Sequence, residues 1–278
     1  MGAPLSAKFT WSARNVGISV KQFKSMKHPR TGGMAWFIFR CSVFVALPFI
    51  ATAQDREVSW KGLLPNLLED QQSIWTFPAR LNKPRDFLPT LAVGGIAAGL
   101  FLGADPPIAH YFRNTTSFGD FNHIFNGLNT SIAPALVPAG LLVAGLITKD
   151  KKMKDTALFT AEAVADAEIV ATALKAATGR ARPADLSPHS GFGDSFLEGK
   201  SALNSGSFPS GHTIAAFSAA TIISRRYGKA HRWVPIAAYG VATAVAFSRM
   251  SLSAHFASDV FMGGVMGYSI SRFTVLHE

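Results

Sequence analysis

Five apolar stretches, at 87–104, 131–148, 210–224, 233–249 and 259–275, leave this chain little to build but packed helices. Each is long enough for about four to five helical turns. A sixth stretch, 155–177, is Ala-rich and helical by composition but carries Glu162, Asp166 and Glu168. A charge at the centre of a bilayer costs roughly 2.5 to 3.5 kcal/mol even on the gentlest insertion scale, so this helix is expected to turn its acids toward neighbouring helices or water. They read as a structural stripe rather than as catalytic acids. No alternating strand pattern occurs, and the expected fold is an all-α six-helix bundle occupying residues 87–278.

The part before the bundle divides in two. Residues 35–53 are apolar, follow Lys21, Lys24, Lys27 and Arg30, and close on Ala51-Thr52-Ala53. Basic flank, apolar run and small-residue end form the pattern of a secretory leader, with an uncleaved anchor as the alternative. Met26 and Met34 lie just ahead of the run, so an internal start would give a leader of ordinary length. Residues 54–86, with Trp60, Trp75, Phe77 and Pro78 among charges, read as an amphipathic segment packed on the domain or at a bilayer interface. The single cysteine, Cys41, excludes a disulfide framework and a cysteine metal site.

Hydrophobic residues make up 48% of the chain, which puts a membrane in play, and the net charge of +10 suits an anionic surface or substrate. Nucleic acid is set aside: the chain has no recognition-helix pattern, no zinc spacing and no basic-aromatic interleaving in a polar segment.

Three clusters carry chemistry. They are Lys175-x6-Arg182-Pro183, Pro209-Ser210-Gly211-His212, and Ser248-Arg249-x5-His255-x3-Asp259. On the expected helices, Lys175 and Arg182 lie at the end of the third, Ser210 opens the fourth, Arg249 closes the fifth, and His255 and Asp259 enter the sixth. In an up-and-down bundle these positions share one end. The longer connections, 105–130 and 178–208, fall at the same end, where loops build binding sites. Short basic turns, with Lys149, Lys151, Lys152 and Lys154 in one and Arg225, Arg226, Lys229 and Arg232 in the other, mark the opposite end. In a membrane the positive-inside bias would put those turns in the cytoplasm and the clusters outside. A cleaved leader delivers residue 54 outside, whereas six spans with an external site need residue 86 inside. Either the leader is not translocated, the first helix does not span, or the bundle is peripheral.

Hydrolysis of a phosphate ester needs neutralisation of a dianion, an in-line nucleophile and a proton for the leaving group. Lys175, Arg182 and Arg249 offer three positive charges, Arg in a fork that pairs phosphate oxygens. Lys175 and Arg182, seven apart, are expected two turns apart on one helical face. Ser210 and Gly211 would sit at a helix N-terminus, where backbone N–H groups favour an anion and Gly211 allows close approach. His255 and Asp259 at i, i+4 suggest a carboxylate accepting from one ring nitrogen and leaving the other unprotonated. These cations do what a metal ion would do, and no HExxH or carboxylate cluster of ligand spacing is present, so neither metal nor cofactor is expected. His189 reads as a surface residue. The Asn114-Thr115-Thr116 sequon is disregarded in a chain with a bacterial-looking leader.

The three clusters, in this order and spacing, resemble the signature of the type-2 phosphatidic acid phosphatases and their relatives, the soluble bacterial acid phosphatases and vanadium-dependent haloperoxidases. The resemblance covers roughly residues 155–275. It implies a helical bundle in which His255 attacks phosphorus to give a phosphohistidine, Asp259 supports it, and His212 is general acid and then base. It further implies a phosphomonoester or pyrophosphate substrate, lipid-linked or small, and a bacterial envelope setting with the site on the periplasmic side. The alternatives are a vanadium haloperoxidase, for which the chain lacks the usual extra length, and a non-catalytic scaffold or transporter. The second has no need of His212 and His255 together.

Overall fold

Among the described residues of the computed structural model, 59–81, 84–186, 195–196 and 206–277, the chain forms only helices and their connections. The leader of 1–53, Cys41, and most of 187–205 with His189 lie outside them. In chain order the helices are α1 (Leu63–Thr76), α2 (Pro84–Gly99), α3 (Asp105–Asn114), α4 (Gly119–Ile124), α5 (Gly127–Ile147), α6 (Lys151–Thr178), α7 (Gly211–Tyr227), α8 (Trp233–Ser251) and α9 (Ala257–Ser269). A π turn, Leu100–Ala104, joins α2 to α3, and another, Ile270–Val275, prolongs α9.

The expected helices are present with small shifts at their ends, but residues 105–130 are not the loop that their polar residues and Pro pair suggest. They hold α3 and α4. Pro106 and Pro107 sit in the first turn of α3, where a missing N–H costs nothing, so the pair starts a helix instead of breaking one.

α6 is the central helix. Asp150 caps it by accepting from the Met153 N–H at 3.1 Å, and its Ala163, Ala167 and Ala171, fully buried at four-residue spacing, let neighbours approach closely. α7 runs antiparallel to it. Thr178 Oγ1 donates to Phe208 O at one end, and Arg226 Nε donates to Thr156 Oγ1 at the other. The basic turns are at this second end, away from the three clusters.

α9 runs parallel to α7, and the register repeats: Gly263 lies on Ser210 and Thr213, Gly267 on Ile214 and Ser218. Ser218 Oγ donates to Gly267 O at 3.3 Å and Ser271 Oγ to Ser218 O at 3.1 Å. Val170, Leu174, Ile214, Met262, Met266 and Ile270 fill the space between the three helices.

Two runs, Phe87–Asn114 and Asn129–Ile147, are long and apolar enough to cross a membrane. Their Leu88, Leu91, Leu136 and Ile147 point outward. α1 lies alongside α6 and turns Asn66, Asp70 and Gln71 inward together with Ile74. Gln71 Nε2 donates to Asp166 Oδ1 at 2.8 Å, Asn66 Nδ2 to Glu162 Oε2 at 3.4 Å, and Asp70 is buried beside Asp166. The acids of α6 are therefore turned toward a neighbouring helix, Glu162 and Asp166 to α1, while Glu168 faces Lys175.

Candidate active site

Four chain segments meet at one end of α6, α7 and α9. α6 stops at Gly179, whose φ of +56° is the left-handed conformation that ends helices and whose N–H returns to Lys175 O at 2.9 Å. Lys175 thus lies in the last turn, while Arg182 lies beyond it at the cap of a short 3-10 turn, Pro183–Asp185. The two do not share a helical face, because Gly179 turns the chain four residues before Pro183 could. They approach each other nonetheless: Arg182 acts on Lys175, on Arg249 and on His255.

Ser210 is the N-cap residue of α7, with its backbone N–H on Asp259 O at 3.2 Å and its Oγ paired with Thr213 Oγ1 at 2.8 Å. Gly211 leaves room for the Lys175 side chain: a Cβ there would stand 2.9 Å from Lys175 Nζ and 3.6 Å from Glu168 Oε2. The Lys175 ammonium therefore lies over the opening turn of α7, whose N–H groups and dipole also favour an anion. Arg249, in the last turn of α8 and 2% exposed, donates to Phe125 O and, through Nε at 3.0 Å, to Ser248 Oγ.

His255 precedes α9, whose N-cap is Phe256, so its i, i+4 relation to Asp259 is not that of one helical face. Asp259 serves the cap instead: Oδ2 accepts the Phe256 N–H at 2.9 Å and stands 3.9 Å from His255 Nδ1, too far for a hydrogen bond. The partner of Nδ1 is Ser207 O at 2.6 Å. A carbonyl only accepts, so the proton is on Nδ1 and Nε2 carries the free lone pair. Burial first, then Arg182, hold the imidazole well below its ordinary ionisation range and keep it neutral. Lys175 and His212 add to this effect, so both lie near. His212, on the first turn of α7, shares a 2.8 Å hydrogen bond between Nε2 and Ser131 Oγ of α5.

The structure thus brings together all eight residues singled out in the sequence: Lys175, Arg182, Ser210, Gly211, His212, Arg249, His255 and Asp259. Around them are four that motif reading missed. Ser131 holds His212, Ser207 joins His255 to Asp259 through a 2.5 Å bond from Oγ to Oδ2, and Arg180 and Asp105 lie behind Asp259. Asp105 alone left a signal, an acid inside the apolar run 87–114.

An apolar cleft of about 450 Å³ opens between α5, α7 and α8. Thr130, Ala216 and Val245 line its end beside Ser131 and His212, and Trp233 and Tyr227 lie at the other.

Residues 156–277 match the sequence model of the PAP2 superfamily. A lipid A 1-phosphatase of Porphyromonas gingivalis is 41% identical over 66 residues, 24% of this chain and 15% of that protein. Among solved structures, a transmembrane PAP2-type phosphatidylglycerolphosphate phosphatase from Bacillus subtilis aligns over 77% of this chain and 92% of its own, at 20% identity and a TM-score of 0.39.

Proposed function

From the match of residues 156–277 to the PAP2 superfamily model we propose that the protein is a membrane-bound phosphatase that removes phosphate from a lipid phosphomonoester or pyrophosphate through a phosphohistidine, without a metal ion. The observation that carries this reading is His255, buried, neutral and with Nε2 free, among Lys175, Arg182 and His212.

The phosphoryl group is held by Lys175, Arg182, Arg249 and the first N–H groups of α7. Three side-chain cations supply the charge neutralisation for which many phosphatases use Mg²⁺. His255 Nε2 forms a bond to phosphorus as the ester oxygen leaves from the opposite side. His212 gives that oxygen its proton, and then takes a proton from the water that cleaves the phosphorus–nitrogen bond. The phosphorylated imidazole is cationic, and Asp259 at 3.9 Å offsets that charge without taking the Nδ1 proton.

The same geometry supports a position for the lipid. The leaving group departs on the His212 side, and the cleft that begins beside Ser131 and His212 receives its hydrocarbon. The outward apolar faces of α2, α3 and α5 support a setting among lipids, and the basic turns at the far end, by the positive-inside bias, support a site on the periplasmic side of a bacterial membrane. The partial likeness to a lipid A 1-phosphatase makes lipid A 1-phosphate the first substrate to test.

The deciding experiment is phosphate release by purified protein from lipid A 1-phosphate, phosphatidic acid, phosphatidylglycerol phosphate, undecaprenyl pyrophosphate and a soluble ester, with and without EDTA and vanadate. Activity that survives EDTA and is blocked by vanadate is expected. Loss in chelator restored by Mg²⁺ or Zn²⁺ would overturn the mechanism. Rapid quench should trap an acid-labile, alkali-stable phosphoprotein that His255→Ala does not form.

A further inference from the structure

Arg180 lies between two motif residues, Lys175 and Arg182, yet it faces away from the anion site. It is 1% exposed. Its NH1 donates to Asp259 Oδ1 at 2.5 Å and to Ser258 Oγ at 2.8 Å, its NH2 to Asp105 Oδ2 at 2.7 Å, and its Nε to Ser195 Oγ at 3.2 Å. The guanidinium stands over the Phe256 ring at 4.0 Å, with Phe196 and Phe101 about it at 4.8 and 5.1 Å. A planar fork with this many fixed partners has one available position. Its own carbonyl accepts the Ser207 N–H at 2.7 Å. Ser207 is therefore held twice, by the backbone of Arg180 and, through Asp259, by its side chain; and Ser207 O is the acceptor for His255 Nδ1.

Asp105 completes the group from outside the family segment. Its Oδ1 accepts the Ser258 N–H at 2.9 Å, and its Oδ2 accepts Ser258 Oγ at 2.5 Å as well as Arg180 NH2. It thereby ties α3 to the first turn of α9 and gives Arg180 a second carboxylate. With it, two carboxylates share one guanidinium, and Asp259 is held from behind by a group that is itself fixed to α3.

The geometry points to Arg180 and Asp105 as positioning residues for the nucleophile: they fix Asp259 and Ser207 so that His255 Nε2 is aimed at phosphorus. This inference rests on reading His255 as the nucleophile. Neither residue touches the phosphate, so their loss should slow chemistry and leave binding alone.

The test is the full chain in detergent carrying Arg180→Lys, Asp105→Asn or both, with His255→Ala beside them. Lys keeps the charge but cannot span Asp259, Asp105 and Ser195 from one ammonium. Asn keeps the size of Asp105 and an acceptor for the Ser258 N–H. Each single variant should lose about 10- to 100-fold in kcat, with KM and the inhibition constant of inorganic phosphate within about twofold of the parent. The double variant should lose no more than the worse single, because the two act through one chain of contacts.

Parent kcat in a folded Asp105→Asn or Arg180→Lys protein would overturn the inference. So would phosphate inhibition that weakens in step with kcat, which would mean that the anion site itself has collapsed. If Asp105→Asn does not assemble, Ser258→Ala is read instead. It removes one hydroxyl and no charge, and it should lose about 3- to 10-fold in kcat alone; an unchanged kcat would again overturn the inference. An inactive parent protein, or an active His255→Ala, would instead sink the reading of the nucleophile.

Discussion

Gly267→Ala is the sharpest test of how α7 and α9 together make the site. A methyl group at Gly267 would land 2.3 Å from Ile214 O and 3.0 Å from Ser218 N, both backbone atoms that no rotamer change can move aside. Ordinary contact begins near 3.4 Å, so the helices must separate by about 1 Å. Overpacking of this kind costs about 1 to 3 kcal/mol, partly offset by the roughly 1 kcal/mol by which Ala outdoes Gly in a helix. The neighbouring Gly264→Ala is the control, because its methyl would meet the Phe217 ring at 3.6 Å, an ordinary contact, and it keeps the helical gain. Activity should separate the pair further. α7 opens with Ser210, Gly211 and His212, α9 carries Asp259 in its first turn with His255 just before it, and a misplacement of about 1 Å at a reacting centre costs on the order of 10²-fold. Thermal unfolding and phosphate release in one detergent give both readings. Gly267→Ala as stable and as active as Gly264→Ala would refute the claim that this contact sets the site's geometry.

His212→Ala should lose about 10² to 10⁴ in rate on alkyl or lipid esters but far less in the single-turnover burst of p-nitrophenyl phosphate, whose leaving group needs no proton. Equal losses in that burst would mean that His212 positions the phosphate instead. The His255 imidazole is held neutral by burial and Arg182, so protonation should switch the enzyme off only as pH falls well below 6.5, once substrate ionisation is corrected for. Arg182→Gln should raise that acidic limb, and a limb that stays or drops contradicts the assignment. Asp166→Asn should stabilise the protein by about 1 kcal/mol or more. Burial first, with Asp70 and Glu162 beside it, pushes the Asp166 carboxyl up to about 8, so near neutral pH the chain folds only by taking up a proton there; Asn removes that cost and keeps the acceptor for Gln71, and a lower unfolding midpoint would count against this account.

The helical stretches were legible because apolar runs of this length with no alternating pattern allow little else. Residues brought together by tertiary contact were not. The spacing of Lys175 and Arg182 suggests one face until Gly179 is weighed as a stop, and the i, i+4 spacing of His255 and Asp259 suggests a direct bond only if both are helical. The chain instead starts α9 after His255, and the imidazole takes the carbonyl of Ser207, forty-eight residues earlier. Arg180 is invisible to motif spacing because its partners lie at 105, 195, 258 and 259.

α1 reverses the usual rule of an amphipathic helix. Asp70 is buried and Gln71 is bonded to Asp166, while Leu64 and Leu68 are each 67% exposed. In water such a helix would dock chiefly through Ile74, which is buried in the core, because Leu64 and Leu68 would stay wet and its inward polar groups would only trade one set of hydrogen bonds for another. Surrounded by acyl chains, the balance inverts: the leucines are already content, and the amides have nowhere else to go. Acyl chains around α1 should therefore favour its docked position. Removing them should loosen α1 before the bundle melts, and urea, which offers α1 rival hydrogen bonds, should act on that helix first.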